Sequence, residues 1–255
     1  MNEKHSVKHS GTGPDKWQSL KAFTQARIAL GRTGISIPVK ETLQFKLAHA
    51  HARDAVYTQL KTDAIISSLQ ASKLSHFLLH SMATNRNIYL QRPDLGRRLN
   101  KASALQLSSS SPYHSTTAIV IADGLSAAAV QQHALPVLQL LIDKLNIANI
   151  SFAPVCIVEQ GRVAVADEIA VLLNARVSII LIGERPGLTA ANSMGAYITY
   201  SPQIGLTDES RNCISNIRPE GLDYETAVEK IFYLISEALR LQLSGVALKD
   251  YTGLI

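Results

Sequence analysis

Between residues 116 and 182 the chain alternates short runs of β-branched apolar residues with segments of helical periodicity. The pattern predicts strands at 116–122, 152–158 and 177–182, separated by helices at 126–145 and 166–174. Continuous apolar strands are typical of a parallel sheet that helices cover on both faces. The chain is therefore predicted to be an α/β protein whose C-terminal part is a Rossmann-like three-layer domain with a mostly parallel sheet.

The remaining patterns predict a mostly helical N-terminal region and two further C-terminal elements. Helices are predicted at 16–30, 40–60, 65–79 and 224–243, an additional strand at 196–200, and irregular structure at 85–100. A serine-rich stretch separates the two better patterned halves. The predicted organisation is a flexible N-terminal tail at 1–16, a helical N-terminal region at 17–102, a Ser-rich linker at 103–115, and the Rossmann-like domain at 116–255.

Composition and charge exclude several classes of protein. Hydrophobic residues make up 46% of the chain and charged residues 18%, so it carries enough apolar side chains to fold. The net charge is only +5 and the basic residues are scattered, which disfavours a nucleic-acid partner. No apolar run approaches the ~20 residues of a membrane-spanning helix. Two cysteines without a signal peptide favour a soluble protein in a reducing cytoplasm, with no disulfide framework.

Three glycine-containing loops follow the predicted strands at 123–126, 159–163 and 183–188. In an open α/β sheet, ligands bind outside the carboxyl ends of the strands, where such loops meet. Glycine permits a sharp turn or a close approach to a ligand, although ordinary connections between strands and helices also favour it. A ligand site and a purely structural role of these loops both remain open at this stage.

Several motifs of catalysis and metal binding are absent. The sequence contains no G-x-G-x-x-G, no G-x-x-x-x-G-K-[ST], no G-x-S-x-G and no H-E-x-x-H. His76 and His80 would share a face of the predicted third helix, but without further ligands they favour a hydrogen-bonding pair over a metal site. Cys213 has Arg211 nearby but no identified base, which favours a packing role over a nucleophilic one. We predict no catalytic residue and no metal site in this chain.

Six segments, in the same order along the chain, resemble the small (light) subunit family of ethanolamine ammonia-lyase. They lie at 26–32, 48–54, 89–98, 123–126, 183–188 and 211–217, and the resemblance extends from about Trp17 to about Asp250. It implies an adenosylcobalamin-dependent enzyme that converts ethanolamine to acetaldehyde and ammonia by a radical mechanism. It also implies a hetero-oligomer with a large subunit, and the substrate is expected to be bound mainly by that large subunit.

The resemblance also implies specific cofactor contacts. Val163, Glu184 and Cys213 are expected to contribute to the cobalamin site at the interface with the large subunit. Arg162 and Arg185 are secondary candidates for the phosphate of the nucleotide tail. The Asp-x-His-x-x-Gly motif, which places a protein histidine under cobalt, is absent, so the cofactor is expected to keep its own benzimidazole ligand.

Two other functions remain open on the sequence alone. One is a non-catalytic nucleotide-binding module, and the other is a structural α/β subunit that only supports an enzyme partner. The expected location is the cytoplasm, and the resemblance implies a bacterial microcompartment as an alternative. The polar tail before Trp17 shows no amphipathic face that would support targeting to such a compartment.

Overall fold

A six-stranded sheet forms the centre of the computed structural model, which describes residues 15–110 and 113–250. The strands are β1 (His76–His80), β2 (Thr117–Ala122), β3 (Val155–Glu159), β4 (Val177–Gly183), β5 (Met194–Tyr200) and β6 (Asn212–Ile217). Their order across the sheet is β1-β3-β2-β4-β5-β6. The first four are parallel, whereas β5 and β6 are antiparallel to their neighbours. The predicted α/β class with a mostly parallel sheet is confirmed.

Helices cover both faces of this sheet. The described residues contain the helices α1 (Val39–Tyr57), α2 (Thr62–Ala71), α3 (Arg86–Gln91), α4 (Lys101–Ser109), α5 (Ala127–Ile147), α6 (Val165–Leu172) and α7 (Tyr224–Leu241). One apolar cluster joins α2, α5 and α7 to one face of the sheet. A second cluster joins α4 and α6 to the other face. The described residues thus form three layers, and the closer likeness to a Rossmann fold stays a prediction.

The central strand shows why the apolar runs become strands. Every residue of β2 is buried, with Ile119 and Ile121 in one cluster and Val120 in the other. A strand that is buried on both faces needs apolar side chains at successive positions, which is the pattern of the sequence. The following helix begins as predicted, because the Ser126 hydroxyl accepts a hydrogen bond from the Ala129 N–H at its N-terminus.

The predicted helix at 65–79 is wrong in its second half. Helix α2 ends at Ala71, and His76 and His80 lie at the two ends of β1, which pairs in parallel with β3. Lys73 adopts a positive φ of 55°, which ends the helical path. Four residues of a strand span about 13 Å, so the two imidazoles do not share a helix face and are too far apart to bind one ion.

Other N-terminal predictions also need correction. The predicted helix at 16–30 is only a 3₁₀ turn at Gln18–Ala22 with no buried residue, because its apolar side chains meet no core. The region at 85–100 is not irregular, since it contains α3, which Asn85 caps, and a 3₁₀ turn at Leu95–Arg97. Part of the predicted Ser-rich linker is helical up to Ser109.

The domain boundaries themselves stay predictions. Strand β1 shows, however, that part of the predicted N-terminal region belongs to the sheet. Residues 1–14 of the predicted tail and residues 111–112 of the predicted linker lie outside the described residues.

Candidate functional site

A pocket lies at the topological switch point of the sheet, where the strands that follow β2 are added first on one side of it and then on the other. Strand β2 has β3 on one side and β4 on the other, and the helices that follow β2 and β3 pack on opposite faces. The chain therefore leaves β2 and β3 toward opposite faces, which opens a crevice at the carboxyl edge of the sheet, the usual ligand position in this architecture. The pocket has a volume of about 420 Å³. Its lining consists of Tyr89, Gly124, Leu125, Arg162, Val163, Ile182, Gly183, Glu184, Arg185 and Tyr197.

The three predicted cofactor residues lie together at this crevice. Val163 and Glu184 line the pocket from different loops. Cys213 lies beside it on β6, directly opposite the pocket residue Tyr197 in the β5–β6 register. Cys213 is therefore inside a strand, whereas the sequence placed it after the last strand. The polar sequence of β6 concealed it, since only Ile214 and Ile217 of its six residues are buried.

Two glycines allow the floor of the pocket to close. Gly124 has a φ of +57°, and the backbone N–H of Leu125 donates a hydrogen bond of 2.9 Å to the Gly183 carbonyl. A Cβ on Gly183 would overlap the Ser126 carbonyl oxygen and lie 2.6 Å from that of Asp123. The two loops approach so closely that neither position has room for a side chain.

Glu184 is held in position by its neighbours. Both of its carboxylate oxygens lie 3.2 Å from the backbone nitrogen of Asn216, which donates to them. The Glu184 side chain also packs against Gly195, where an added Cβ would lie 3.0 Å from Oε1. The carboxylate is thus oriented from β5 and from the end of β6 before any ligand binds.

The Cys213 thiol is in an environment that disfavours the thiolate. The Cys213 side chain is exposed at the surface, but partial desolvation by its neighbours raises its pKa; the negative charge of Glu184 adds to this effect, and a hydrogen bond with Tyr197 opposes it. Burial and a hydrogen bond with Cys213 also raise the pKa of the neighbouring Tyr197. Arg211, which the sequence suggested as an activator of the thiol, pairs instead with the buried Asp167. The geometry therefore favours a neutral contact surface over a nucleophile.

A buried tyrosine between two arginines forms the base of the pocket, and sequence reasoning missed it. The Tyr89 ring is fully buried, with the Arg162 guanidinium 4.1 Å from its centroid and that of Arg86 4.6 Å away. Its hydroxyl donates a 3.3 Å hydrogen bond to the Gly161 carbonyl. Tyr89 lies within the segment 89–98 that carried the resemblance, but no periodicity marked it as buried.

Arg86 and Asp123 connect the loops around this tyrosine. Arg86 donates to the carbonyls of Val56 and Gly124, and its Nη1 lies 3.7 Å from an Asp123 carboxylate oxygen. Asp123 accepts hydrogen bonds of 3.0 Å from the N–H groups of Gln160 and Gly161. Burial raises the pKa of Asp123 to about 6, although Arg86 and these donors oppose the shift. The cluster thus fixes the loops after β2 and β3 relative to each other.

The comparisons with known proteins identify a family. A protein-family model described as "Ethanolamine ammonia-lyase light chain (EutC)" matches residues 14–249. The chain belongs to this family. A relative named "Ethanolamine ammonia-lyase small subunit" from Azotobacter vinelandii is 54% identical over 237 residues, covering 92% of this chain and 88% of the relative. Relatives of the same name from Pseudomonas aeruginosa and Ralstonia nicotianae are 52% and 51% identical, covering 98% and 92% of this chain and 92% and 88% of their own lengths.

Membership of the ethanolamine ammonia-lyase light chain family confirms the resemblance seen in the sequence. The two secondary candidates of that resemblance differ in their surroundings. Arg162 stacks on Tyr89 and donates to the Tyr89 carbonyl at 3.0 Å, so its guanidinium is already engaged. Arg185 lines the pocket and is exposed, so it retains the greater freedom to bind an anion.

Neither a metal cluster nor a membrane span is found in the part of the chain that the structure describes. Within residues 15–110 and 113–250, no three His, Cys, Asp or Glu side chains gather in a way that could hold a metal ion. No helix in these ranges combines the length and apolar character needed to cross a membrane.

Proposed function

We propose that this chain is the light chain of an adenosylcobalamin-dependent ethanolamine ammonia-lyase, and that the pocket is its share of the cobalamin site. The supporting observation is that Val163 and Glu184, from different loops, line one crevice of the sheet, and that Cys213 lies beside it, opposite the lining residue Tyr197. The large subunit closes this crevice and provides most of the contacts to ethanolamine. We propose a cytoplasmic enzyme, with a bacterial microcompartment as the alternative location.

The side chains around the pocket fit the chemistry of a corrinoid. A cobalamin has an apolar macrocycle edge, peripheral amides that donate hydrogen bonds, and a phosphodiester in its nucleotide tail. Leu125, Val163 and Ile182 supply apolar contacts, Glu184 supplies a charged acceptor, and Arg185 supplies a cation. A pocket of about 420 Å³ encloses only part of so large a molecule, which is consistent with a site shared between two chains.

Each of the three cofactor residues has a binding role in this proposal. Val163 lays its methyl groups against the apolar part of the cofactor, and the oriented carboxylate of Glu184 accepts hydrogen bonds from amide or ribose donors. Cys213 contributes a small surface, and its raised pKa favours the neutral thiol. Adenosylcobalamin, when bound, supplies the radical chemistry that converts ethanolamine to acetaldehyde and ammonia. In this proposal the light chain binds and orients the cofactor.

The substitution Glu184→Gln tests this assignment in the assembled enzyme. It keeps the shape of the side chain but removes the charge, and a hydrogen bond to a charged group contributes about 1.5–3 kcal/mol. Because the glutamine amide oxygen still accepts a neutral hydrogen bond, the net loss is about 1–1.5 kcal/mol, and we expect cobalamin affinity to fall about 10-fold. Bound cobalamin is measured by its visible absorbance after dialysis of the complex of both subunits against a series of cofactor concentrations.

Glu229→Gln is the matched control for this experiment. Glu229 pairs with Lys144 on the surface and does not line the pocket, so its substitution should leave cobalamin affinity unchanged. Equal cofactor affinity of the Glu184→Gln and Glu229→Gln enzymes would contradict the assignment of Glu184 to the cobalamin site.

A further inference from the structure

Helix α1 is almost unpacked within this chain. Only Ala55 of its 19 residues is buried. Isolated helices of this length are marginal in water, and most helices in proteins are stabilised by packing of an apolar face. The described residues provide little such packing for α1, so the helix lacks the contact that would normally stabilise it.

The exposed side chains of α1 include a continuous apolar stripe. Val39, Leu43 and Leu47 are spaced four residues apart and therefore lie on one face. They are 74%, 59% and 57% exposed. Ile35 and Ile37, just before the helix, are also exposed. We call residues 15–57 the apolar arm, since such a contiguous apolar surface is typical of an interaction site.

The apolar arm continues the rim of the proposed cofactor pocket. The Arg27 guanidinium donates a 3.2 Å hydrogen bond to the Leu188 carbonyl, in the loop that begins with Glu184. The same guanidinium lies 5.8 Å from the centroid of the Phe45 ring on α1. A groove of about 630 Å³, which includes Phe45, His49 and Arg53 in its lining, runs along this helix. A partner that covers the pocket and the loop after β4 would therefore also contact the apolar arm.

The charge of the apolar arm discriminates between partners. It contains seven Lys or Arg residues and three Asp or Glu residues, so it carries a net +4 of the +5 of the whole chain. Two copies of the arm placed face to face would bring like charges together, which opposes self-association. A different chain with an apolar groove and an acidic rim matches both the stripe and the charge.

We infer that the apolar arm is the docking surface for the large subunit, which covers the Val39, Leu43 and Leu47 stripe and surrounds it with carboxylates. This inference rests on the proposed function, because it takes the chain that closes the cofactor pocket as the partner. It adds a second contact region, built by the N-terminal arm and separate from the pocket residues.

The double substitution Leu43→Asp with Leu47→Asp tests the inference. Both side chains are exposed, so the full-length isolated chain should unfold at the same urea concentration as the wild type. Its dissociation constant for the large subunit, measured by calorimetry without cobalamin, should rise at least 100-fold, because two central apolar contacts are lost and the added charges face carboxylates. Ile147→Asp is the control, since Ile147 is 82% exposed at the C-terminal end of α5 and outside the arm.

Hydrogen exchange provides a second readout. Amides of α1 should exchange rapidly in the isolated wild-type chain and become protected on addition of the large subunit, whereas those of α5 are protected in both states.

The outcomes separate the alternatives. Unchanged affinity of the double variant for the large subunit, or α1 amides that stay unprotected in the complex, would overturn the inference. So would a homodimer of the isolated wild-type chain that the double substitution dissociates, because the arm would then bind a second copy. Since affinity is measured without cofactor, a normal cobalamin titration of Glu184→Gln would refute the pocket assignment and leave the docking result standing.

Discussion

Replacing Arg211 by methionine is expected to lower the free energy of unfolding by about 3–5 kcal/mol. Arg211, just before β6, pairs with Asp167 on α6, and the two side chains are only 1% and 2% exposed. Loss of the guanidinium leaves a buried carboxylate without its counter-charge, which costs more than the pair itself contributes. Because the pair joins β6 to α6, it also connects the strand of Cys213 to the helix that follows Val163.

The stability lost in Arg211→Met should depend on pH, and the pKa of Asp167 predicts the direction of that dependence. Burial already raises the pKa of Asp167 to about 6, and removal of Arg211, whose charge lowers that pKa, raises it further. A carboxyl with a higher pKa in the folded than in the unfolded state costs stability above its unfolded value, and protonation removes the cost as the pH falls through the folded value. The deficit of Arg211→Met should therefore shrink between pH 7 and pH 5.

Urea denaturation of the full-length chain measures both effects. The double variant Asp167→Leu with Arg211→Met is the control, because replacing a whole buried ion pair by apolar side chains is often neutral or stabilising. It should recover most of the stability that the single variant loses and should not show the same pH dependence. A single variant that loses less than about 1 kcal/mol, or a double variant that is no more stable, would contradict the role given to the pair.

Gly183→Ala is expected to have the second large effect. The added methyl group would overlap the Ser126 carbonyl oxygen and lie 2.6 Å from that of Asp123. These are backbone atoms in the loop and helix start that form the pocket floor, so they cannot move away as the end of a side chain can. Overpacking of this kind typically costs 1–3 kcal/mol, and we expect about 3 kcal/mol here. The displaced floor should also abolish measurable cobalamin retention by the assembled enzyme.

Gly187→Ala is the matched control in the same loop. A Cβ at Gly187 would lie 3.3 Å from its nearest neighbour, the Ala190 carbonyl oxygen, and would require only a small shift. Thermal unfolding and cobalamin binding of this variant should stay close to those of the wild type. Comparable stability and cofactor retention of the two alanine variants would show that the close approach of the loops is unimportant.

The central strands of the sheet were predictable because their own residues carry the signal of burial, whereas the two edge strands, β1 and β6, were missed. The predicted bounds of β2 and β4 differ from the observed ones by one residue at most, and the helix predicted to start at residue 126 begins there, with Ser126 as its cap. Burial on both faces demands apolar residues at every position, a local signal. From the strands, the rule on carboxyl edges was sufficient to predict that the loops at 123–126 and 183–188 meet at one site.

Elements that depend on distant partners were missed. The sequence of β1, His-Phe-Leu-Leu-His, is compatible with a helix or a strand, and only pairing with β3, nearly eighty residues later, decides between them. Tyr89 and Arg86 are buried through contacts with loops more than thirty residues away, and a buried arginine has no periodic signature. The apolar residues at 40–60 correctly predicted a helix, α1, but their spacing did not reveal that most of them are exposed.

Protection of Cys213 by cobalamin tests the central claim most directly. The complex of both subunits is treated with iodoacetamide at pH 8.5, with and without bound cyanocobalamin, whose upper ligand thiols do not readily displace, and the modified Cys213 peptide is quantified by mass spectrometry. Cys213 is exposed in the isolated chain, and the other cysteine, Cys156, is buried and serves as an internal reference. If the crevice is the light-chain part of the cofactor site, cobalamin should slow alkylation of Cys213 at least tenfold. Equal alkylation rates with and without the cofactor would contradict the account.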